Sequence, residues 1–189
     1  MNWLAHLHLS DPLPATRIGN LLPDILRGPE LQLVPEEFAA GIRHHQIIDA
    51  YTDSHPVFRE SARRIEPPLR RYGAILVDVF YDHFLACHWA DYSSAELDDF
   101  VAGFHASIDD FRDRLPEQAY VRLAAIRDEG WLLSYRQIEG IRAALDRISG
   151  RLRRPVDLTP GVDMLLARYE DFAGDFRKFY PQLISHATA

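Results

Sequence analysis

The sequence predicts an all-α fold, built as a single compact multi-helix domain over residues 1–189. Apolar residues recur at steps of three and four through almost every segment, and the punctuation between segments is that of helix starts and stops. No stretch alternates apolar with polar residues as a half-buried strand does. The length agrees, because one core commonly serves roughly 100 to 200 residues.

The first helix spans residues 14–27, where Ile18, Leu21, Leu22 and Ile25 share a face; Pro23 should kink it and Gly28 stops it. A second spans 35–53 and opens on Pro35-Glu36-Glu37, a proline suited to the first turn followed by acids that the helix dipole favours. It stops before Ser54-His55-Pro56. A basic helical stretch from Val57 to Tyr72 is broken by Pro67-Pro68, and an apolar helix runs from about Ala74 to Trp89. Later starts are marked by capping-box spacings at Ser93 with Glu96 and at Ser134 with Gln137. Pro116 to Glu129 forms another helix closed by Gly130, Gly150 caps the one after Ser134, and Thr159-Pro160 precedes the last. The tract from Arg151 to Pro155 is the expected joint, and roughly seven to nine helices follow from this punctuation. The stripes Phe100, Phe104, Ile108, Phe111 and Leu165, Leu166, Tyr169, Phe172 read as packing faces.

Composition narrows the function. With 47% hydrophobic and 26% charged residues, a disordered scaffold is excluded. No apolar run approaches the roughly 18 residues of a bilayer span, and the start Met1-Asn2-Trp3-Leu4-Ala5-His6-Leu7-His8 lacks the basic region of a signal peptide, so a cytoplasmic protein is expected. The single Cys87 excludes an internal disulfide and thiolate metal sites, leaving oxygen and imidazole as metal ligands. A net charge of -7 opposes general attraction to nucleic acid or anionic membrane.

Several polar residues sit where core residues should be. Phe38, Ile42, His45, Asp49 and Thr52 share one face of the 35–53 helix, so its apolar stripe turns polar partway along. Ile75, Asp78, Val79, Asp82 and Ala86 do the same on the 74–89 helix. Burying an ionised carboxylate costs several kcal/mol unless something compensates it. A divalent metal would do so; salt bridges to an arginine-bearing neighbour would do so equally well for Asp78 and Asp82, as would a solvated i,i+4 pair for His45 and Asp49. His6, His8, Asn20 and Asp24 add candidates from the N-terminal segments, and the joint occurrence favours a site. Such Asp and His ligands suit Mn²⁺, Mg²⁺ or Fe²⁺, which could bind phosphate oxygens and activate a water. His83 beside Asp82 points about 100° away, a position for a neighbouring proton donor.

The start Met1-Asn2-Trp3-Leu4-Ala5-His6-Leu7-His8-Leu9, then Gly19-Asn20-Leu21-Leu22-Pro23-Asp24, Gly41-Ile42-Arg43-His44-His45-Gln46-Ile47-Ile48-Asp49, Thr52-Asp53-Ser54-His55-Pro56 and Asp78-Val79-Phe80-Tyr81-Asp82-His83-Phe84-Leu85 followed by His88-Trp89 resemble, in this order, the acyl carrier protein phosphodiesterases. The resemblance covers about the first 90 residues. It implies an HD-domain-like helical fold and a divalent-metal phosphodiesterase, with Mn²⁺ or a similar ion, that removes 4'-phosphopantetheine from the serine of holo acyl carrier protein. On that reading Asp24, His45, Asp49, Asp78 and Asp82 hold metal; His6, with a share in the ligation, or His83 protonates the leaving group; Arg43 neutralises phosphoryl oxygens; and Asn20 contacts substrate.

Carrier proteins of this kind are acidic, so a locally basic docking surface is expected. One tract holds Arg59, Arg63, Arg64, Arg70 and Arg71, and the other Arg142, Arg147, Arg151, Arg153 and Arg154. The first is nearer the proposed site in sequence, although solvated helix faces and intramolecular pairs explain either tract equally well. Three other functions fit the residues: a phosphohydrolase of nucleotides or small molecules on the same site, a non-catalytic helical adaptor whose Asp and His residues form ordinary buried networks, and an iron oxygenase.

Overall fold

The computed structural model describes residues 1–188. Among them are α1 (Trp3–Leu9), α2 (Pro14–Ile25), α3 (Gly28–Leu31), α4 (Ala39–Ser54), α5 (Pro56–Arg63), α6 (Gly73–Cys87), α7 (Leu97–Ile108), α8 (Glu117–Asp128), α9 (Trp131–Ser134), α10 (Ile138–Ser149), α11 (Gly161–Ala167) and α12 (Tyr169–Ala187), with short 3-10 turns between some of them and no strand. The all-α class is as predicted. The helices outnumber the expectation because the histidine-bearing N-terminal segment is itself helical, α3 and α9 are single turns, and the last helical stretch breaks at Arg168.

Helix starts moved where a hydroxyl found a nearer partner. The Ser93 hydroxyl accepts the N–H of Ala95 at 3.2 Å instead of closing a capping box, and α7 begins four residues later. Ser134 lies at the end of α9, where its hydroxyl donates to the Trp131 carbonyl at 2.7 Å, and α10 starts at Ile138. Both are local bonds that compete with helix continuation. Gly130 closes α8 with a φ of 64°, a left-handed conformation that glycine adopts at no steric cost.

Helix α6 is the axis of the core. Leu76, Val77, Val79, Phe80, Tyr81, Phe84 and Leu85 are buried almost all round it, which is the signature of an interior helix. It packs against α1, α5, α10 and α12, the last contributing the buried Phe172, Phe176, Phe179 and Tyr180. The two predicted packing stripes are core for the most part, with Phe104, Ile108, Leu165 and Phe172 buried; Leu166 instead turns outward and is 51% exposed.

The pairing of α2 with α4 sets up the site. A Cβ on Gly41 would run into the carbonyl of Thr16, and one on Gly19 into the carbonyl of Phe38. Two glycines facing each other therefore let the helix backbones approach closely, which brings the Asn20 carbonyl of α2 onto His45 of α4.

Candidate metal centre

Three helices deliver the centre. His6 comes from α1, Asn20 and Asp24 from α2, and His45 and Asp49 from successive turns of one face of α4. Ligand atoms of His6, His45 and Asp49 all lie within 4.8 Å of one another. His45 Nε2 is 3.0 Å from one Asp49 oxygen and 3.9 Å from Asp24, while His6 Nε2 is 3.3 Å from the other Asp49 oxygen. The two imidazoles stack at 4.1 Å with planes 10° apart.

Asn20, fully buried, fixes how both rings are protonated. Its side-chain oxygen is 2.9 Å from His6 Nδ1 and its backbone carbonyl 2.7 Å from His45 Nδ1. Both oxygens accept, so both Nδ1 atoms carry the proton and both neutral rings offer an Nε2 lone pair. The Asn20 amide donates to the His6 carbonyl and to Ser10 Oγ, completing its own bonding. This is the arrangement that orients imidazole ligands around an ion.

The His6 lone pair faces two oxygens, the Met1 carbonyl at 3.1 Å and Asp49 at 3.3 Å. Two acceptors against a lone pair repel unless a proton or a cation lies between them. Burial lowers the His6 pKa, with the nearby Met1 ammonium and His45 adding to the effect and the Asp49 hydrogen bond opposing it, so the proton is disfavoured. A cation fits the donor set better. The Met1 ammonium shows the same demand for positive charge, lying 3.0 Å from Asp49 and 3.3 Å from Asp78; burial opposes its charge, but the carboxylates outweigh burial and push its pKa up to about 11. Burial likewise opposes ionisation of Asp49, yet His45 and His6, which donate to it from Nε2 once protonated, and the Met1 ammonium hold its carboxyl well below the usual carboxylate range. Asp78 is pushed up to about 6, chiefly by burial, and its Oδ1 is buried without a well-directed hydrogen bond.

Asp24, Asp78 and Met1 also line a cavity of about 650 Å³, whose other walls include Trp3, Arg27, Arg122, Ile148, Arg151 and Leu152. Carboxylates and arginines thus face a common space next to the two histidines.

The other predicted residues are placed differently. Asp82 lies outside the cluster: its oxygens accept the N–H groups of Leu4 and Ala5 at 2.8 and 3.0 Å, so it caps α1 and anchors the helix that carries His6. His83 donates from Nδ1 to the Tyr135 carbonyl at 2.8 Å and accepts from the Tyr169 hydroxyl at 2.9 Å, partners that belong to no part of the centre. Arg43 is exposed, two residues before His45 and so about 200° round the helix from it. Arg64 pairs with the buried Asp175 at 2.9 Å within a network that includes Ser61 and Tyr81. Arg59 donates to the Asp53 carbonyl, and Arg63, its side chain 74% exposed, is only loosely paired with Glu60 at 3.7 Å. His44 bonds the Ala187 carbonyl through Nε2 at 3.1 Å and meets the centre only through Nδ1, 3.4 Å from the Asn20 amide. Arg27 and Arg122 were not singled out from sequence; the one signal for Arg122 is that no acid lies three or four positions from it on α8.

Fold and site together define a helical protein with a candidate metal centre of two imidazoles and a carboxylate beside a mixed-charge cavity. A family model described as "Acyl carrier protein phosphodiesterase" matches residues 1–183. The chain is 33% identical over 188 residues to a protein of that name from Enterobacter sp. (strain 638), covering 99% of this chain and 97% of that one. It is 31% identical over 188 residues to the one from Pectobacterium atrosepticum, with the same coverage, and 32% identical over 189 residues to that of Escherichia coli, covering 100% of this chain and 98% of that one. No solved structure matches. The chain belongs to the acyl carrier protein phosphodiesterase family. Among the described residues, no helix is long and apolar enough to cross a membrane.

Proposed function

We propose that this protein is a divalent-metal phosphodiesterase that hydrolyses the 4'-phosphopantetheine–serine linkage of holo acyl carrier protein, leaving apo carrier protein. The observation that carries this reading is the convergence of His6, His45 and Asp49 on one point beside the cavity. His6, His45 and Asp49, with Asp24 next to them, would hold the ion, and two imidazoles with carboxylates favour Mn²⁺ or Fe²⁺ over Mg²⁺. When bound, such an ion supplies Lewis-acid polarisation of the phosphoryl oxygens and lowers the pKa of a water.

In the reaction, water oxygen bonds to phosphorus, the bond from phosphorus to the serine oxygen breaks, and one proton passes from water to that oxygen. Asp78, facing the cavity with a pKa near 6, is the group suited to carry this proton, since a carrier works best when its pKa lies near the working pH. Asp82 positions α1, and Asn20 fixes the two rings. The exposed Arg59 and Arg63 remain the proposed docking face for the acidic carrier, a weaker and salt-sensitive contact.

The test is the intact mass of a holo carrier protein incubated with the enzyme and Mn²⁺. Conversion to the apo mass, absent with EDTA or with His45→Ala, is expected; conversion that persists in EDTA or in a metal-loaded, folded His45→Ala variant would overturn the reading.

A further inference from the structure

The cavity has a cationic wall that the metal centre does not use. Arg27, Arg122 and Arg151 line it, and among the described residues none of the three lies within ion-pairing distance of a carboxylate, whereas Arg114, Arg127 and Arg136 all do. Unpaired guanidinium groups on a cavity wall are a receptor for an anion.

Two of them are held by aromatic rings. Trp3 and Trp131 stack at 5.4 Å with planes 10° apart; the Arg151 guanidinium lies 5.6 Å from the Trp3 ring centre, and that of Arg122 5.6 Å from Trp131. Cation–π contact holds the charge in place without neutralising it. Burial and the charge of Arg122 both lower the pKa of Arg151, so the two cations are close enough to repel and an anion between them relieves that repulsion. Trp3 and His6 sit one turn apart on α1, which couples this wall rigidly to the metal centre. Ile75, Val79, Ile148 and Leu152 give the same cavity an apolar side, and about 650 Å³ accommodates a flexible organic arm.

We propose that Arg122 and Arg151 are the phosphate-positioning residues of this site, and that the adjoining cavity receives the pantetheine arm. The identity of the arm rests on the carrier-protein reading above; the anion receptor itself does not. A consequence is that free 4'-phosphopantetheine, the released product, binds here without the carrier and without metal.

The experiment is calorimetric titration of the whole protein, in EDTA, with 4'-phosphopantetheine and with pantetheine. The wild type should bind the phosphorylated compound at least about tenfold tighter, the scale of one charge-assisted contact. Arg122→Gln and Arg151→Gln should each lose about tenfold for 4'-phosphopantetheine and little for pantetheine, Arg151→Lys should recover part of the loss, and Arg142→Gln should change nothing. Equal wild-type affinity for the two compounds would overturn the inference, and so would full affinity in the glutamine variants. If those variants do not fold, the wild-type comparison and competition by inorganic phosphate decide. The two readings fail separately: arginine-dependent binding in a protein that cleaves no holo carrier supports the anion site and removes the hydrolase reading, whereas cleavage unaffected by Arg122→Gln with Arg151→Gln removes the anion site and keeps the hydrolase.

Discussion

The imidazoles of His6 and His45, from two helices that Asn20 of α2 bridges, stack at 4.1 Å and hold their Nε2 atoms against the same carboxylate. Neither ring orients itself. The orientation comes from Asn20, whose side chain binds one Nδ1 and whose carbonyl binds the other.

Asn20→Leu therefore should act on metal affinity more than on fold. The side-chain bond to His6 is lost while the carbonyl bond to His45 stays, and loss of such an orienting contact typically weakens metal binding about 10- to 100-fold. Mn²⁺ titration of the variant checks this; an unchanged affinity would show that the ring needs no outside support.

Gly41→Ala should cost about 1–3 kcal/mol, the usual penalty for forcing a methyl group into a packed interface, because the new carbon meets the Thr16 carbonyl. Carrier cleavage should fall further than stability alone explains, since α4 carries His45 and Asp49. Chemical denaturation and turnover on the same preparation separate the two effects.

Arg63→Glu and Arg64→Glu should behave differently. Arg63 is exposed and only loosely paired with Glu60, so its reversal should weaken carrier association, reduce the salt sensitivity of association and leave the melting temperature nearly unchanged. Arg64→Glu places a second carboxylate against the buried Asp175 and should destabilise the protein by at least about 1–3 kcal/mol. Equal thermal shifts in the two variants would contradict this division.

In the metal-free protein Asp82 and Asp78 should each give up a stabilising contribution as pH rises. Burial pushes Asp82 up to about 7 and Asp78 up to about 6, against the Leu4 and Ala5 N–H bonds in the one case and the Met1 ammonium in the other. A carboxyl with a raised folded-state pKa stabilises the fold fully below its unfolded value and loses that contribution as pH climbs through the folded value, here between about pH 4 and 7. Among the histidines, the Asp49 hydrogen bond overcomes burial to raise His45, which adds to this loss, whereas burial lowers His6, His8, His83 and His105, whose contributions run the other way. Urea denaturation in EDTA at pH 5 and pH 7 should show the Asp82→Asn midpoint gaining on that of the wild type as pH rises; a midpoint that changes equally in both proteins would contradict the assignment.

His45 and Asp49 were legible in the sequence because an i,i+4 pair interrupting an apolar stripe is a local pattern, and the all-α class was legible for the same reason. Asp78 and Asp82 look alike on that pattern, yet the fold separates them. Asp82 neutralises the start of a helix 77 and 78 positions away, while Asp78 reaches the cavity. Spacing on α6 carries no record of α1, which has no capping side chain of its own to announce it. From the sequence Asn20 reads as a substrate contact, whereas it is fully buried with its side chain on His6 and its carbonyl on His45, a role set by how closely Gly41 lets α4 approach. Arg122 and Arg151 each lie over one ring of the Trp3–Trp131 stack, a contact between segments about 130 residues apart that periodicity cannot register.

The most direct measurement is the Mn²⁺ dependence of holo carrier cleavage, followed by intact mass, for the wild type and Asp49→Asn. The wild type should show saturable activation by Mn²⁺, and the variant, lacking the charge that both histidines share, should need far more metal or stay inactive at every concentration. Superimposable activation curves for the two folded proteins would contradict a metal centre built on His6, His45 and Asp49.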